Sequence, residues 1–451
     1  MFLPAALIIY WLCPKSWIRS AWLLIASVVF YIWSDPEYFA VICAAVILNW
    51  LIGTKVRGKK WLLALGIIAD LVILVIFKYY GLISAVMVRA VGIPFPAAFS
   101  QMPVGISFFT FLGISYLYDR YRSGEERKDN ILAVALYYLF FPKVTSGPLV
   151  KFERFVPEDR DRETSIKRTA YGIRRFIVGL AKKVIIADQL ATSVSGLFLL
   201  DLETAPSAYL WVAILMYTVQ IYFDFSGYSD MAVGLGAMFG YELPENFDHP
   251  YGKRSMTEFW RSWHMTLTRW FTEYLYIPLG GNRKGQIRTL INIMIVFAAT
   301  GIWHGAGLCF IAWGLWHGAF MVIERIGLKK RLETLPPLLD HIYVLAVVII
   351  GWVFFRAGSL TRALRMLIAM FSFQKGSALP IQMFVSTGTW IIFAIGALLT
   401  FPVSGRFSRM LSRRSPKAAS VLEIAGLCAL LIMSILLISS GSYSSFIYFQ
   451  F

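Results

Sequence analysis

Two histidines sit where a histidine is hard to keep. His264 closes the stretch Glu258-Phe-Trp-Arg-Ser-Trp-His264, and His317 lies in Trp313-Gly-Leu-Trp-His317-Gly318, each within or beside strongly apolar sequence. An ionisable group at membrane depth is costly and is usually retained because it does something. Imidazole is also the side chain best matched to proton transfer near neutral pH. The pair points to acid–base chemistry inside a bilayer. In the active reading, His317 Nε2 takes a proton from a hydroxyl as that hydroxyl attacks an acyl carbon. In the plain reading it is a buried histidine bonded to a neighbouring helix. Gly314 and Gly318 flank it and permit close approach of a substrate chain or a second helix.

His264 follows Trp260 and Trp263. A continuous helix would put Trp260 and His264 on one face at i, i+4. Arg261 and Arg269 beside them suit an anionic group, or simply snorkel to a headgroup layer. His304, in Gly301-Ile-Trp303-His304-Gly-Ala-Gly307, falls between two apolar runs where glycines suggest a turn. It reads as a wall or supporting residue near the outer face. Asp224, Ser226, Tyr228 and Asp230 form a polar cluster just after residues 209–223. Carboxylates there need partners, so capping or pairing with an arginine is the expectation. Asn246 opens a second mixed polar and aromatic region. Asp70, alone within an apolar run, reads as bonded to a neighbouring helix.

Other chemistry finds no support. The chain has no GxxxxGK[ST], HExxH or GxSxG motif, and no GxGxxG following a strand. No metal centre is expected. Cys13, Cys43, Cys309 and Cys428 lie in or beside apolar runs without a CxxC spacing, as small core residues do.

The elements that must hold these side chains are legible in the composition. The 451 residues are 58% hydrophobic and 16% aromatic, with a mean hydropathy of +0.64. Ordinary globular domains are roughly 45–50% apolar. Clear apolar runs cover residues 21–33, 39–53, 61–77, 209–223, 287–303, 310–323, 342–355, 390–401 and 421–440. Spans need roughly 20 mainly apolar residues, fewer where flanking side chains snorkel. The reading is an all-α polytopic membrane protein in one domain, residues 1–451, with about ten or eleven spans. The run 2–12 reads as a first span, not as a cleavable leader.

The formal net charge of +17 comes from 43 Lys and Arg against 26 Asp and Glu. These charges sit in loops, so the positive-inside rule explains them better than nucleic acid does. Charged segments at 15–19, 55–60, 119–129, 325–331 and 406–417 fall on the cytoplasmic side. The nearly uncharged connections 34–36 and 91–102 fall outside, with both termini. Residues 151–175 are too charged to span and read as a cytoplasmic loop and surface helix. Residues 140–148, with Pro142, Gly147 and Pro148, suggest a re-entrant element, tolerated only where protein or water satisfies its backbone. Residues 246–288 suggest short, partly buried helices lining a cavity.

Taken together, Phe77-Lys-Tyr-Tyr80, Pro103-Val-Gly-Ile-Ser-Phe-Phe-Thr-Phe111, Phe141-Pro-Lys-Val-Thr-Ser-Gly-Pro148, Gly179-Leu-Ala-Lys-Lys-Val-Ile-Ile-Ala-Asp188, Asp224-Phe-Ser-Gly-Tyr-Ser-Asp230, Asn246-Phe-Asp-His-Pro-Tyr251, Phe259-Trp-Arg-Ser-Trp-His264, Tyr274-Leu-Tyr-Ile-Pro-Leu-Gly-Gly-Asn-Arg283, Gly301-Ile-Trp-His304 and Trp313-Gly-Leu-Trp-His317 carry a resemblance. The chain resembles the membrane-bound O-acyltransferase family, in its bacterial alginate O-acetylation branch. Each stretch alone is weak; their order and number carry the likeness. It departs from the pattern at Lys143-Val-Thr-Ser, where Gln-Leu-Val-Ala is more usual, and at Glu273, where Asp is commoner. The family's usual opening before Phe2 is missing, so a shortened start is expected.

The resemblance implies a ring of tilted helices around a central tunnel. It implies that His317 is the catalytic histidine and His264 the supporting one. Trp303, Trp313, Asp224, Ser226, Asn246, Trp260, Arg261 and His304 become tunnel or supporting candidates. It further implies a multi-pass protein of the bacterial inner membrane with no bound cofactor. Such a protein takes acetyl from a cytoplasmic donor, acetyl-CoA, and passes it to a periplasmic SGNH-type acetyltransferase that decorates a secreted polysaccharide. The basic 151–175 surface suits a phosphate-rich donor and equally suits anionic membrane lipids. The rivals are D-alanyl transfer to teichoic acid and peptidoglycan O-acetylation. Outside catalysis they are a transporter or flippase, disfavoured by the lack of internal repeats, and a scaffold.

Overall fold

A computed structural model describes residues 2–92, 102–123, 129–160, 164–377, 379–402, 415–441 and 446. Among these residues the regular structure is helical throughout. In chain order the helices are α1 (Phe2–Leu12), α2 (Ser16–Ser34), α3 (Phe39–Gly53), α4 (Lys60–Lys78), α5 (Tyr80–Val91), α6 (Ile106–Arg122), α7 (Ile131–Leu139), α8 (Phe152–Arg160), α9 (Ile166–Ala181), α10 (Asp188–Phe198), α11 (Ser207–Met238), α12 (Met256–Trp260), α13 (Met265–Phe271), α14 (Gln286–His304), α15 (Leu308–Ile323), α16 (Lys329–Leu332), α17 (Pro337–Arg356), α18 (Leu360–Phe371), α19 (Thr387–Leu399) and α20 (Pro416–Ser439). Wider π turns interrupt them at Lys182–Ala187, Thr272–Tyr276 and Glu324–Leu328.

Six of these helices, α2, α4, α11, α14, α17 and α20, are long and apolar enough to cross a membrane, and α1, α3, α5 and α19 are shorter apolar helices. This is an all-helical polytopic membrane protein. The apolar runs read from sequence fall on helices, with one extension. The run 209–223 is the first half of α11, so the cluster from Asp224 to Asp230 lies inside a helix and not after one. The apolar window of α11 is 72% buried and that of α20 only 6%. Exposed apolar side chains on α20, such as Leu422, Ile432 and Leu436, suit lipid contact.

The chain forms two compact units interleaved in sequence, Met1–Arg175 with Ala232–Pro244, and Phe176–Met231 with Glu245–Phe451. In the first, Asp70 of α4 accepts a hydrogen bond from Asn49 Nδ2 of α3 at 2.7 Å, the neighbouring-helix bond expected of it. Arg120 and Tyr116 of α6 both engage Asp129, with Arg120 Nε 2.6 Å from its carboxylate. Residues 140–148 are an irregular buried turn with no helix in it, and Phe141 N donates to Ser27 Oγ. Lys143 is buried there, with Nζ donating to the carbonyl of Tyr137 and lying 4.5 Å from that ring's centre. The 151–175 segment begins as helix α8, not as a loop, and continues into α9. The basic segment 406–417 falls mostly outside the described residues, as do parts of 91–102 and 119–129.

The second unit holds every candidate residue. Here α9 and α11 meet backbone to backbone: a Cβ on Gly179 would stand 2.5 Å from the carbonyl oxygen of Gly227 and 2.7 Å from Met231 N. Small residues at such crossings let helices pack where lipid gives no hydrophobic drive. Gly179→Val is expected to lower the unfolding temperature of the detergent-solubilised protein, through about 1–3 kcal/mol of overpacking. Gly426→Val in α20, where a Cβ meets nothing within 4 Å, should leave it unchanged.

Candidate active site

The site is built on α15. Its buried residues Phe310, Trp313, Gly314, His317 and Gly318 recur at three- and four-residue spacings, so they share one face. That face lies against α14 at very short range. A side chain on Gly314 would strike the carbonyl of Phe297, and one on Gly301 would strike the carbonyl of Phe310. On the other side α17 comes equally close, and a Cβ on Gly351 would run into His317 Nε2. His317 is therefore pinned between helices that carry no side chain at the points of contact.

Aromatic rings close the remaining directions. The rings of Trp260 and Trp313 stand edge-on to the imidazole, with centroids at 5.1 and 5.2 Å. Phe259 lies parallel at 6.5 Å, and Trp352 is tilted against the ring at 6.4 Å. His317 is wholly buried. Neither of its ring nitrogens has a hydrogen-bond partner among the described residues, and the buried indole nitrogens of Trp260 and Trp313 likewise have none. The other histidines differ. His249 Nδ1 lies 3.1 Å from the carbonyl of Thr400, and His341 Nδ1 lies 3.1 Å from that of Lys253. Buried polar atoms are nearly always satisfied, so each exception calls for an explanation. A base and two donors in one cage of rings are what proton abstraction and oxyanion stabilisation require.

His264 reaches the site by a different route from the one its spacing suggests. Helix α12 ends at Trp260, and His264 adopts left-handed backbone angles (φ 44°, ψ 53°) immediately before α13. Trp260 and His264 thus lie on either side of a break and not on one helical face. The cause is Asn246. Its Oδ1 accepts from Thr266 N (3.1 Å) and Thr266 Oγ1 (2.7 Å), which caps α13, and it lies 3.3 Å from His264 Nδ1. Met265 N donates to the Asn246 carbonyl at 2.9 Å. A left-handed non-glycine residue costs about 1–3 kcal/mol and persists where its surroundings hold it. Among the described residues the two histidine rings make no direct contact. They are joined through Phe225, which meets His264 at 4.6 Å, and then through Phe247, Trp263 and Phe259.

The other candidates divide. His304 ends α14 instead of lying in a turn, and its ring meets Trp303 at 4.7 Å and Trp313 at 4.9 Å, which places all three in the wall beside His317. Asp224 is paired with lysine, not arginine: Lys183 Nζ is 2.6 Å from both Asp224 and Asp188, and Lys182 is 2.7 Å from Asp230. The π turn at Lys182–Ala187 supplies both lysines. Ser226 is buried on α11, and its Oγ has no partner among the described residues. Arg261 is exposed at the end of α12, away from the buried cluster. Sequence reasoning missed Gly351, Phe259 and Trp352, which complete the cage. It also missed Arg254 and Asp340, paired at 2.6 Å, which fasten the approach to α12 onto α17. The available signal for that approach was Ser255 three residues before Glu258, a helix-start pattern that the structure uses: Ser255 Oγ accepts from Glu258 N at 3.2 Å.

Residues 66–355 match MBOAT, the membrane-bound O-acyltransferase family. The chain belongs to that family and is an O-acyltransferase of the membrane. It is similar, at 38% identity over all of this chain and 98% of the relative, to the probable alginate O-acetylase AlgI of Pseudomonas putida. It is 32% identical to the peptidoglycan O-acetyltransferase of Helicobacter pylori, over 82% of this chain and 77% of that protein. It is 30% identical to the teichoic acid D-alanyltransferase of Bacillus subtilis over 45% of this chain and 53% of that one.

Gly351→Ala tests the cage. In a helix interior alanine is better than glycine by roughly 0.5–1 kcal/mol, so any loss must come from the methyl group meeting His317 Nε2. The expected result is a fall in acyl transfer of about a hundred-fold at unchanged membrane abundance. Wild-type transfer would show that the approach of α17 is not needed.

Proposed function

We propose that this protein is the membrane O-acetyltransferase of a polysaccharide-modifying system, working in the bacterial inner membrane on an alginate-like exopolysaccharide. The observation that carries this reading is His317: wholly buried, caged by rings, and with neither nitrogen bonded among the described residues. A neutral imidazole so placed is a general base. Its Nε2 accepts the proton of an acceptor hydroxyl as the oxygen attacks the acetyl carbonyl carbon. The carbonyl electrons move onto oxygen, to be met by the indole N–H groups of Trp260 and Trp313, unused donors on rings that contact His317. Collapse of this intermediate expels the donor's thiolate, which takes the proton from His317. An O-acetyl ester and a free thiol result, and the histidine is restored. His264, fixed through Asn246 and set apart from His317 by intervening rings, is the supporting histidine of this reading.

The donor in this reading is acetyl-CoA at the cytoplasmic face, drawn by the basic 151–175 surface. The acetyl group leaves along a tunnel of the kind the family implies, and its recipient is a periplasmic SGNH-type acetyltransferase. The similarity to alginate O-acetylases over the full chain favours acetyl on an exopolysaccharide above acetyl on peptidoglycan. It favours either above D-alanine, where the likeness covers about half the chain.

The test is the ester-bound acetyl content of the secreted polymer in the native host, with His317→Ala and His264→Ala at matched membrane abundance. His317→Ala should remove the acetyl groups and leave polymer yield intact. His264→Ala should reduce them less completely. Acetylated polymer from His317→Ala would refute the assignment, and a loss of polymer itself would point to transport or scaffolding.

A further inference from the structure

The polar contacts closest to the cage that catalysis leaves unused converge on Glu324. This residue stands seven positions after His317, about two turns along the same helical path, where α15 passes into the π turn Glu324–Leu328. It is 2% exposed. Its carboxylate faces the first turn of α12. Oε1 accepts from Met256 N at 2.5 Å and from Tyr343 OH of α17 at 3.2 Å. Oε2 accepts from Thr257 N at 3.0 Å and Thr257 Oγ1 at 2.7 Å. The first N–H groups of a helix have no partner within it and attract a negative charge. Here another helix supplies that cap, and it is the helix that carries the proposed base.

We infer that Glu324 is a positioning residue for acyl transfer: it ties the start of α12 to α15, and so fixes where Phe259 and Trp260 stand against His317. The inference rests on the reading of His317 as base. Only a carboxylate fits the four donors. It has two oxygens and no proton, whereas glutamine places an NH2 on one side and leaves either Met256 N or Thr257 N facing a donor. Alanine strips the cap from both N–H groups and from the two hydroxyls. With α12 only five residues long, a tilt at Met256 is carried directly to Trp260. Misplacement by about 1 Å in such a site costs on the order of a hundred-fold in rate.

The experiment uses the full chain in membrane vesicles, with labelled acetyl-CoA, and compares wild type, Glu324→Ala, Glu324→Gln, Thr257→Val and His317→Ala. Asn49→Ala, which breaks the bond to Asp70 in the first unit, serves as a destabilised control. The expected result is a graded fall in kcat, about a hundred-fold for Glu324→Ala, about ten-fold for Glu324→Gln and least for Thr257→Val, with KM for acetyl-CoA within two-fold. Asn49→Ala should lower the unfolding temperature without this loss of kcat. If Glu324→Ala does not accumulate, Glu324→Gln and Thr257→Val carry the test. Wild-type kcat in the Glu324 variants, or a loss that merely tracks unfolding temperature as in Asn49→Ala, overturns the positioning role while an inactive His317→Ala leaves the base intact. An active His317→Ala overturns the base itself.

Discussion

An imidazole can be held without a hydrogen-bond partner at membrane depth only if everything around it is fixed. Much of the second unit can be understood from that constraint. Gly301 and Gly314 let α14 and α15 touch along their backbones, Gly318 makes room for side chains of α14, and Gly351 lets α17 come up against the ring. The space a side chain would occupy is filled by neighbouring backbone at Gly301 and Gly314, by the Phe297 and Met294 side chains at Gly318, and by His317 itself at Gly351. Rings of Phe259, Trp260, Trp313 and Trp352 occupy what remains. They have few rotamers and large contact areas, so they hold position at little cost in flexibility. A ring so held cannot turn toward a distant carbonyl to satisfy itself, and its nitrogens stay available.

The second consequence concerns residues 246–271. Two of the cage residues, Phe259 and Trp260, come from a helix too short to be stable alone. It is held from outside at each end: by Glu324 and by the Arg254–Asp340 pair at its start, and by the Asn246 side chain just beyond its end. The left-handed conformation of His264 is the visible strain of making that chain turn between α12 and α13. The Lys183 pairs with Asp188 and Asp224 perform a similar task on α11, where a buried carboxylate without a cation would be expensive.

Membership of the helical class, the main apolar spans and the burial of His264 and His317 were legible in the sequence, because each rests on local composition. The run 287–303 became Gln286–His304 and the run 310–323 became Leu308–Ile323 with little change. What was illegible depends on partners far away in the chain. The i, i+4 relation between Trp260 and His264 failed because Asn246 competes for the backbone of the following turn. The cluster at Asp224 found Lys183 in place of an arginine because a π turn brings the lysine inward. Gly351 looks like any glycine in an apolar run until the helix it faces is known. Arg261 beside the aromatic run suggested an anion contact or snorkelling, and its place at the end of α12 leaves it exposed.

The central claim is that His317 is the base for acyl transfer. The most direct measurement is the initial rate of labelled acetyl transfer from acetyl-CoA by membrane vesicles holding equal amounts of folded wild-type and His317→Ala protein. The account predicts a loss of about 10²–10⁴-fold for the variant with donor binding retained. A rate equal to wild type would contradict it.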